Sequence, residues 1–307
     1  MTVRPLKIAL LGTVLTVLAV HGQPVVLELD VESLVAYVGN TYFPTALRIG
    51  DITAVNGHPV KGTYVGVPFK LGLTPAPQPG QAIADATAVS FRQENFQILG
   101  LDGVPVGSIL TLGTAGGPPP RGAPSVQANG DLAIAGGTGA FIGVRGEKGR
   151  GTSIAPLRYA GADEDPADRR RIGGGHIREI LQVIPMSQPE IVITAGRPAV
   201  THSKDSTPVS VSKPARAGEV LSLLATGLGP TRPSPSLRTN QEKAVSSPVE
   251  VTVNGKAAEV ISASGSTEPV DRYQVDFRVP PGTEKGMATV QVIAAWIASP
   301  PATISVQ

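Results

Sequence analysis

The stretch "AIAGGTGAFIGVRGE" (133–147) places five glycines in fifteen residues and admits two readings. Gly137, Gly139 and Gly143 loosely match a nucleotide-binding fingerprint, in which glycines let the backbone approach phosphate at a helix N-terminus. That chemistry requires a helix immediately afterwards. Here the glycines continue through Gly146, Gly149 and Gly151, and each would cost a helix about 1 kcal/mol relative to alanine. The spacing therefore predicts a β-hairpin, with Gly136, Gly137 and Gly139 supplying backbone angles that other residues resist.

The chain around this hairpin has the composition of a β-protein. Its 307 residues include 36 Gly and 29 Pro, and hydrophobic residues make up 41%, which allows sizeable cores and argues against disorder. Near the N-terminus, Arg4 and Lys7 precede an apolar run from Ile8 to Val20. The run is short for a bilayer span but suits the apolar region of a signal peptide, with cleavage expected before Gln23. An exported protein with no membrane span after cleavage is the expectation; an uncleaved anchor is the alternative. Without Arg4 and Lys7 the chain has 24 basic and 24 acidic residues, so it offers no field for nucleic acid or an anionic membrane. Cysteine is absent, which excludes thiol nucleophiles and lipidation of an N-terminal cysteine.

Two prolines in "VIPMSQPEIVI" (183–193) interrupt two strand-rich blocks and set a boundary between Pro185 and Pro189. The expected organisation is a signal peptide (1–22), a barrel domain (23–186) and a sandwich domain (187–307). In "GTYVGVPFKLGL" (62–73), Thr63, Val65, Val67, Phe69, Leu71 and Leu73 share one face. Tyr64 and Pro68 lie on the other, Pro68 implying an edge or a bulge. A stiff connector is expected at 75–80, an exposed loop at 116–124 and a two-residue turn at Asn129-Gly130. In the second block, "PVEVTVNGKAAEV" turns at Asn254-Gly255, and "YQVDFRV" and "ATVQVIAAWI" alternate cleanly. Short strands spaced by turn clusters predict an immunoglobulin-like β-sandwich.

"GGTGAFIGVRG" (136–146) resembles the Gly-Gly-Thr-Gly-x-Phe/Tyr-x-x-Ala-Arg-Gly hairpin of dirigent proteins and allene oxide cyclases. "GHPVKGTYVG" (57–66) and "GVPVGSILTLG" (103–113) resemble other strands of those proteins. The likeness covers about residues 50–185. It departs from the pattern at Val144, where the family has alanine, and at Ile109, where dirigent proteins have threonine. It implies an antiparallel eight-stranded barrel with an internal pocket, either guiding a reactive intermediate or cyclising an unsaturated epoxide, and it implies association into homo-oligomers. Residues 190–307, including "PARAGEVLSLLATGLGPTRPSP" (214–235), look like a C-terminal β-domain recurrent in secreted bacterial proteins. That likeness implies an envelope or extracellular setting and no catalytic residues.

Candidate chemistry is sparse. His58, His176 and His202 show no metal-ligand spacing, so neither a metal site nor a cofactor is expected. No serine triad has its nucleophile-elbow context. The acidic group Asp163, Glu164, Asp165 and Asp168 lacks the glycine and terminal glutamate of a calcium loop and reads as a solvated segment. "SFRQENFQIL" is more informative, because neither of its faces is simply apolar. Arg92, Glu94 and Phe96 share one face, which either lines a ligand-holding barrel or displays a surface ion pair. Glu179 shares a face with Ile177, Leu181 and Val183, which makes it a candidate inward acid opposed by an arginine unless the register differs. Tyr64 either lines the pocket or packs. Arg145 is the arginine of the matched hairpin. Tyr64, Arg92, Glu94, Phe96, Arg145 and Glu179 are thus the candidate ligand-binding residues. The favoured expectation is a barrel that binds a small, largely apolar organic molecule and guides its conformation or coupling. The alternatives are an isomerase or cyclase and a non-catalytic adhesion or matrix protein.

Overall fold

The computed structural model describes residues 24–39, 46–72, 88–116, 132–233, 242–266 and 271–307. The apolar leader at 1–22, the connector at 75–80, nearly all of the 116–124 loop and the Asn129-Gly130 turn lie outside the described residues.

Eight strands make the first unit: β1 (Val25–Val38), β2 (Leu47–Val55), β3 (Lys61–Gly72), β4 (Ala88–Leu99), β5 (Pro105–Gly116), β6 (Leu132–Gly139), β7 (Arg145–Lys148) and β8 (Gly175–Ile184). Each pairs antiparallel with the next, and β8 returns to pair with β1. The result is a closed, eight-stranded up-and-down barrel with no free edge among these strands. The opening stretch is a hairpin within it: Leu132 faces Lys148, Ala133 faces Glu147 and Ile134 faces Gly146. Its turn depends on glycine. Gly139 has φ +62°, and a Cβ on Gly137 would lie 2.4 Å from the Phe141 carbonyl oxygen.

The meander gives the barrel two unlike ends. Short turns between Val55 and Lys61, Leu99 and Pro105, and Gly139 and Arg145 close one end. The connections spanning 73–87, 117–131 and 149–174 leave from the other. The last of these includes the strands Thr152–Ala155 and Arg158–Gly161 and a single helical turn, Arg169–Ile172. Arg169 and Arg170 both bond to Asp51, fixing this segment to the outside of β2.

Leu27, Leu29, Val31, Ile52, Phe96, Ile98, Ile109, Ile134, Phe141, Leu181 and Val183 form the barrel's apolar cluster, all nearly inaccessible to solvent. In β3 the inward residues are Tyr64, Gly66 and Pro68, whereas Val65 and Val67 are only half-buried and Phe69 is exposed. The more apolar face of this strand is therefore the outer one. Pro68 lies past the end of the β2–β3 ladder, where β3 pairs with β4 alone, so its missing N–H interrupts no bond to β2.

The second sheet takes up the chain at Glu190–Ile191, six residues after the end of β8. It curls around its own core, consistent with a sandwich. Val220–Thr226 pairs with Tyr273–Arg278, which pairs with Lys256–Ser266; Val249–Val253 pairs with Gly286–Ala294, which pairs with Ala302–Val306. Asn254-Gly255 forms the expected turn between Val253 and Lys256, with φ +51° and +73°. The alternating residues Val275, Phe277, Val290 and Val292 meet inside. The sequence around His202 reads as a polar loop, but the structure does not leave it open. His202 is buried at the end of a short strand, its Nδ1 2.7 Å from Glu219 Oε1 and its Nε2 3.2 Å from the Lys213 carbonyl oxygen.

The two units touch at the barrel's short-turn end. The turn joining Gly286–Ala294 to Ile297–Ala298 holds Ala295 and Trp296 at φ +47° and +65°, both unfavourable for residues with side chains. Ala295 nevertheless belongs to the barrel's apolar cluster, and Trp296 packs against it. Among the described residues no helix is long and apolar enough to cross a membrane.

Candidate functional site

Above the apolar cluster, towards the long-connection end, the barrel interior becomes polar. Register explains how. Arg48 on β2 faces Gly66 on β3, Gly66 faces Glu94 on β4, and Glu94 faces Thr111 on β5. Four inward positions thus lie in one row across adjacent strands. Gly66 leaves a gap that the phenol of Tyr64 fills, since a Cβ there would lie 2.5 Å from the Tyr64 hydroxyl. Folded back over its own strand, Tyr64 donates a 3.0 Å hydrogen bond to Glu94 Oε1. Its ring packs on Phe96 with centroids 5.2 Å apart.

Lys148 completes the layer from the last position of β7. Its Nζ lies 3.0 Å from Oε2 of Glu94 and 3.0 Å from Oε2 of Glu179. All three side chains are at most 6% exposed. Neither Oε2 atom has a hydrogen-bond partner, so these contacts are charge pairs rather than aligned hydrogen bonds. Space for the Glu179 carboxylate depends on Gly151, where a Cβ would stand 2.5 Å from Oε2. Arg48 contributes charge to the same layer, acting on both Tyr64 and Glu179. Arg92 lies one inward position beyond Glu94 on β4.

The electrostatics follow from burial. Desolvation pushes the Glu179 carboxyl above the usual carboxylate range; Lys148 opposes the shift and Glu94 adds to it. Desolvation and then the Glu94 charge push the Tyr64 phenol well above the ordinary tyrosine range. Burial works against the charged form of Lys148, but the two glutamates outweigh it and hold the ammonium above its ordinary value. The layer therefore contains a firmly protonated cation, a phenol that keeps its proton and a carboxyl that releases its proton reluctantly.

Of the sequence candidates, the structure gathers Tyr64, Glu94, Phe96 and Glu179 into this layer or its floor, with Arg92 on the same inner face. Arg145 does not join them. It is exposed, as is Glu147, because pairing of β7 with β6 and β8 turns Gly146 and Lys148 towards the interior instead. The group paired with Glu179 is Lys148, and the opposing arginine, Arg48, acts on it only through its charge. Lys148, Arg48 and Thr111 were not singled out in the sequence. Thr111 is fully buried, two positions from Ile109 on the inward face of β5, and that parity was the available signal for it. The Asp163–Asp168 segment makes ordinary local contacts: Glu164 pairs with Arg158, Asp165 caps the following turn and Asp168 pairs with Arg171. No group of metal-ligating side chains occurs among the described residues.

No protein-family model, curated protein or solved structure matches the chain.

Proposed function

We propose that the barrel binds a small, largely apolar organic molecule at its long-connection end and guides its conformation or coupling. The observation that carries this reading is the buried Tyr64–Glu94–Lys148–Glu179 layer spanning a barrel whose lower half is already packed. Packing alone does not call for two carboxylates and an ammonium inside a barrel, since burying them costs several kcal/mol per ion before pairing. A ligand site does call for a few convergent polar groups fixed among apolar walls. Because the apolar half is filled by its own side chains, the guest's seat lies above the polar layer. There, β3, β4 and β5 continue six residues past Gly66, Glu94 and about as far past Thr111, a wall of roughly 20 Å at the usual strand rise. The likeness of 136–146 to the dirigent and allene oxide cyclase hairpin supports the same reading. The apolar leader and the likeness of 190–307 to secreted bacterial β-domains support export, with the second unit as an envelope or extracellular module.

A second reading, an isomerase or cyclase, is favoured by Glu179. Its desolvated carboxyl, held above the usual carboxylate range, keeps its proton more tightly than a solvated glutamate and can exchange it with a guest.

The test is saturable binding of the uncharged dye N-phenyl-1-naphthylamine to the full exported chain, read by fluorescence, beside an Arg92→Trp variant that narrows the inner face. One-to-one binding lost in a variant with unchanged circular dichroism is expected. Absence of saturable binding to the wild-type chain would overturn the proposal and favour the adhesion alternative.

A further inference from the structure

We infer that the molecule taken by the barrel carries a single negative charge, a carboxylate seated against Arg48 and Arg92 with its apolar body directed away from the polar layer. This inference rests on the binding function proposed above. It comes from the atoms the layer leaves unpartnered. Arg48 Nε and Arg92 Nε are buried without a hydrogen-bond partner, as is the hydroxyl of Thr111, which shares a row with Arg48 and Glu94. The carboxylates that could have served them are engaged elsewhere: Glu94 accepts from Tyr64 and pairs with Lys148, and Glu179 pairs with Lys148. Neither arginine forms an ion pair with a described carboxylate. A buried guanidinium N–H lacking an acceptor is costly, and the planar fork of which each Nε is part matches a carboxylate in geometry as well as charge.

Charge count selects the class of anion. With both carboxyls ionised against Lys148, the three cations Arg48, Arg92 and Lys148 face two carboxylates, Glu94 and Glu179, which leaves one positive charge to be balanced. A monoanion balances it. A phosphate dianion would carry one uncompensated negative charge into a water-poor interior, and a neutral molecule would leave the surplus cation as it is. Thr111 can donate its hydroxyl proton to the anion or keep a bridging water. The arginines therefore set specificity, while the Glu94–Lys148–Glu179 triad forms a charge-paired base beneath the anion.

The experiment compares decanoate with decanol by isothermal titration on the full exported chain, in wild type, Arg92→Met and Arg92→Lys. Decanoate is expected to bind about tenfold or more tightly than decanol, as one charge-assisted contact provides. Arg92→Met should abolish that preference, read as the ratio of decanoate to decanol affinity, and Arg92→Lys should restore part of it. Cinnamate and cinnamyl alcohol, run in parallel, separate the head-group effect from the shape of the apolar body. Equal affinity for acid and alcohol, or a preference that survives Arg92→Met, would overturn the inference while leaving the binding proposal standing. Failure of all four probes to bind would overturn both.

Discussion

The two β-units of this chain solve the same packing problem with opposite treatments of charge. The second unit encloses a core mainly of Val, Leu, Phe and Ala side chains, and His202 and the Tyr273 phenol are its only buried ionisable groups among those described. The barrel encloses an apolar core of the same character, then places Glu94, Lys148 and Glu179 directly above it. Both units are built from antiparallel ladders, so the difference does not arise from backbone demands. It shows that burial of charge in the barrel is an addition to what the fold needs. Buried ion pairs contribute little or negative net stability compared with well-packed apolar replacements, and breaking one leaves an uncompensated charge.

The largest effect should therefore come from removing the shared cation. Lys148→Met leaves two buried carboxylates facing each other and should lower unfolding free energy by about 3–5 kcal/mol at neutral pH. Guanidinium chloride titration would measure it. The informative partner is the combination Tyr64→Phe, Glu94→Leu, Lys148→Met and Glu179→Leu. It should recover wild-type stability or exceed it by about 1–4 kcal/mol while losing ligand binding. If the quadruple variant is as unstable as Lys148→Met, the triad is structural and the contrast between the units collapses.

The next effect concerns the seam between them. Trp296 belongs in sequence to the second unit but packs against the barrel's apolar cluster from a strained turn. Trp296→Ala should cost about 3 kcal/mol, the lower end for a large aromatic, because the side chain is only partly buried. Calorimetry should show one cooperative transition in the wild type separating into two in the variant. A single unshifted transition would mean that the units are joined by less than this packing.

The same seam shows what the sequence discloses and what it conceals. Individual strands were legible, because the hairpin at 133–147, the alternation in 62–73 and the mixed faces of 90–99 each state one; closure into eight came only from what the likeness of 136–146 implies. Glu94 and Glu179 were legible as inward acids because each alternates with Phe96 or Leu181. Lys148 was not, since β7 is only four residues long and "RGEK" has no apolar residue to mark its inner face. Arg145 was placed inward on the strength of its motif, and pairing with β6 and β8 put it outside. In β3 the strongest apolar alternation marked the outer face, because Gly66 is needed inside to make room for the Tyr64 phenol. Arg48 could not be linked to Glu94 at all without the register that aligns them across Gly66.

A smaller effect follows from the raised pKa of Glu179. Folding increases proton affinity here, so the folded state binds more protons than the unfolded state at pH values above the ordinary glutamate value of 4.5. Stability from this group is fully present below that value and declines as pH rises through the folded pKa. Lys148, Glu94, Arg48 and Tyr64 face Glu179 across the layer; Lys148, held above its ordinary value of 10.5, stays charged throughout this window. Glu179→Gln should flatten the decline between wild type and variant as pH rises from 4.5, read by urea titration at several pH values. The second unit, which has no comparable carboxyl among its described core residues, should contribute no such slope. An unchanged pH profile would remove Glu179 from the acid–base reading.

The smallest effect is the one that tests how the units communicate. Two polar contacts cross between them, the Arg232–Asp102 ion pair at 3.3 Å and His58 to Glu250 at 3.4 Å, an ion pair only with His58 protonated, and all four side chains are at least 41% exposed. Water and salt screen such pairs, and each contributes about 0–1 kcal/mol. Arg232→Ala and Glu250→Gln should therefore shift the transition only slightly, and 0.5 M salt (a Debye length of roughly 4 Å) should erase the shift. Trp296→Ala should be insensitive to the same salt, because its loss is one of packing. The contrast between these responses assigns the joint between the units to apolar contact at the barrel's short-turn end, opposite the polar layer. A seam of that kind keeps the described residues of the second unit at the short-turn end, away from the long-connection end at which we propose a guest binds.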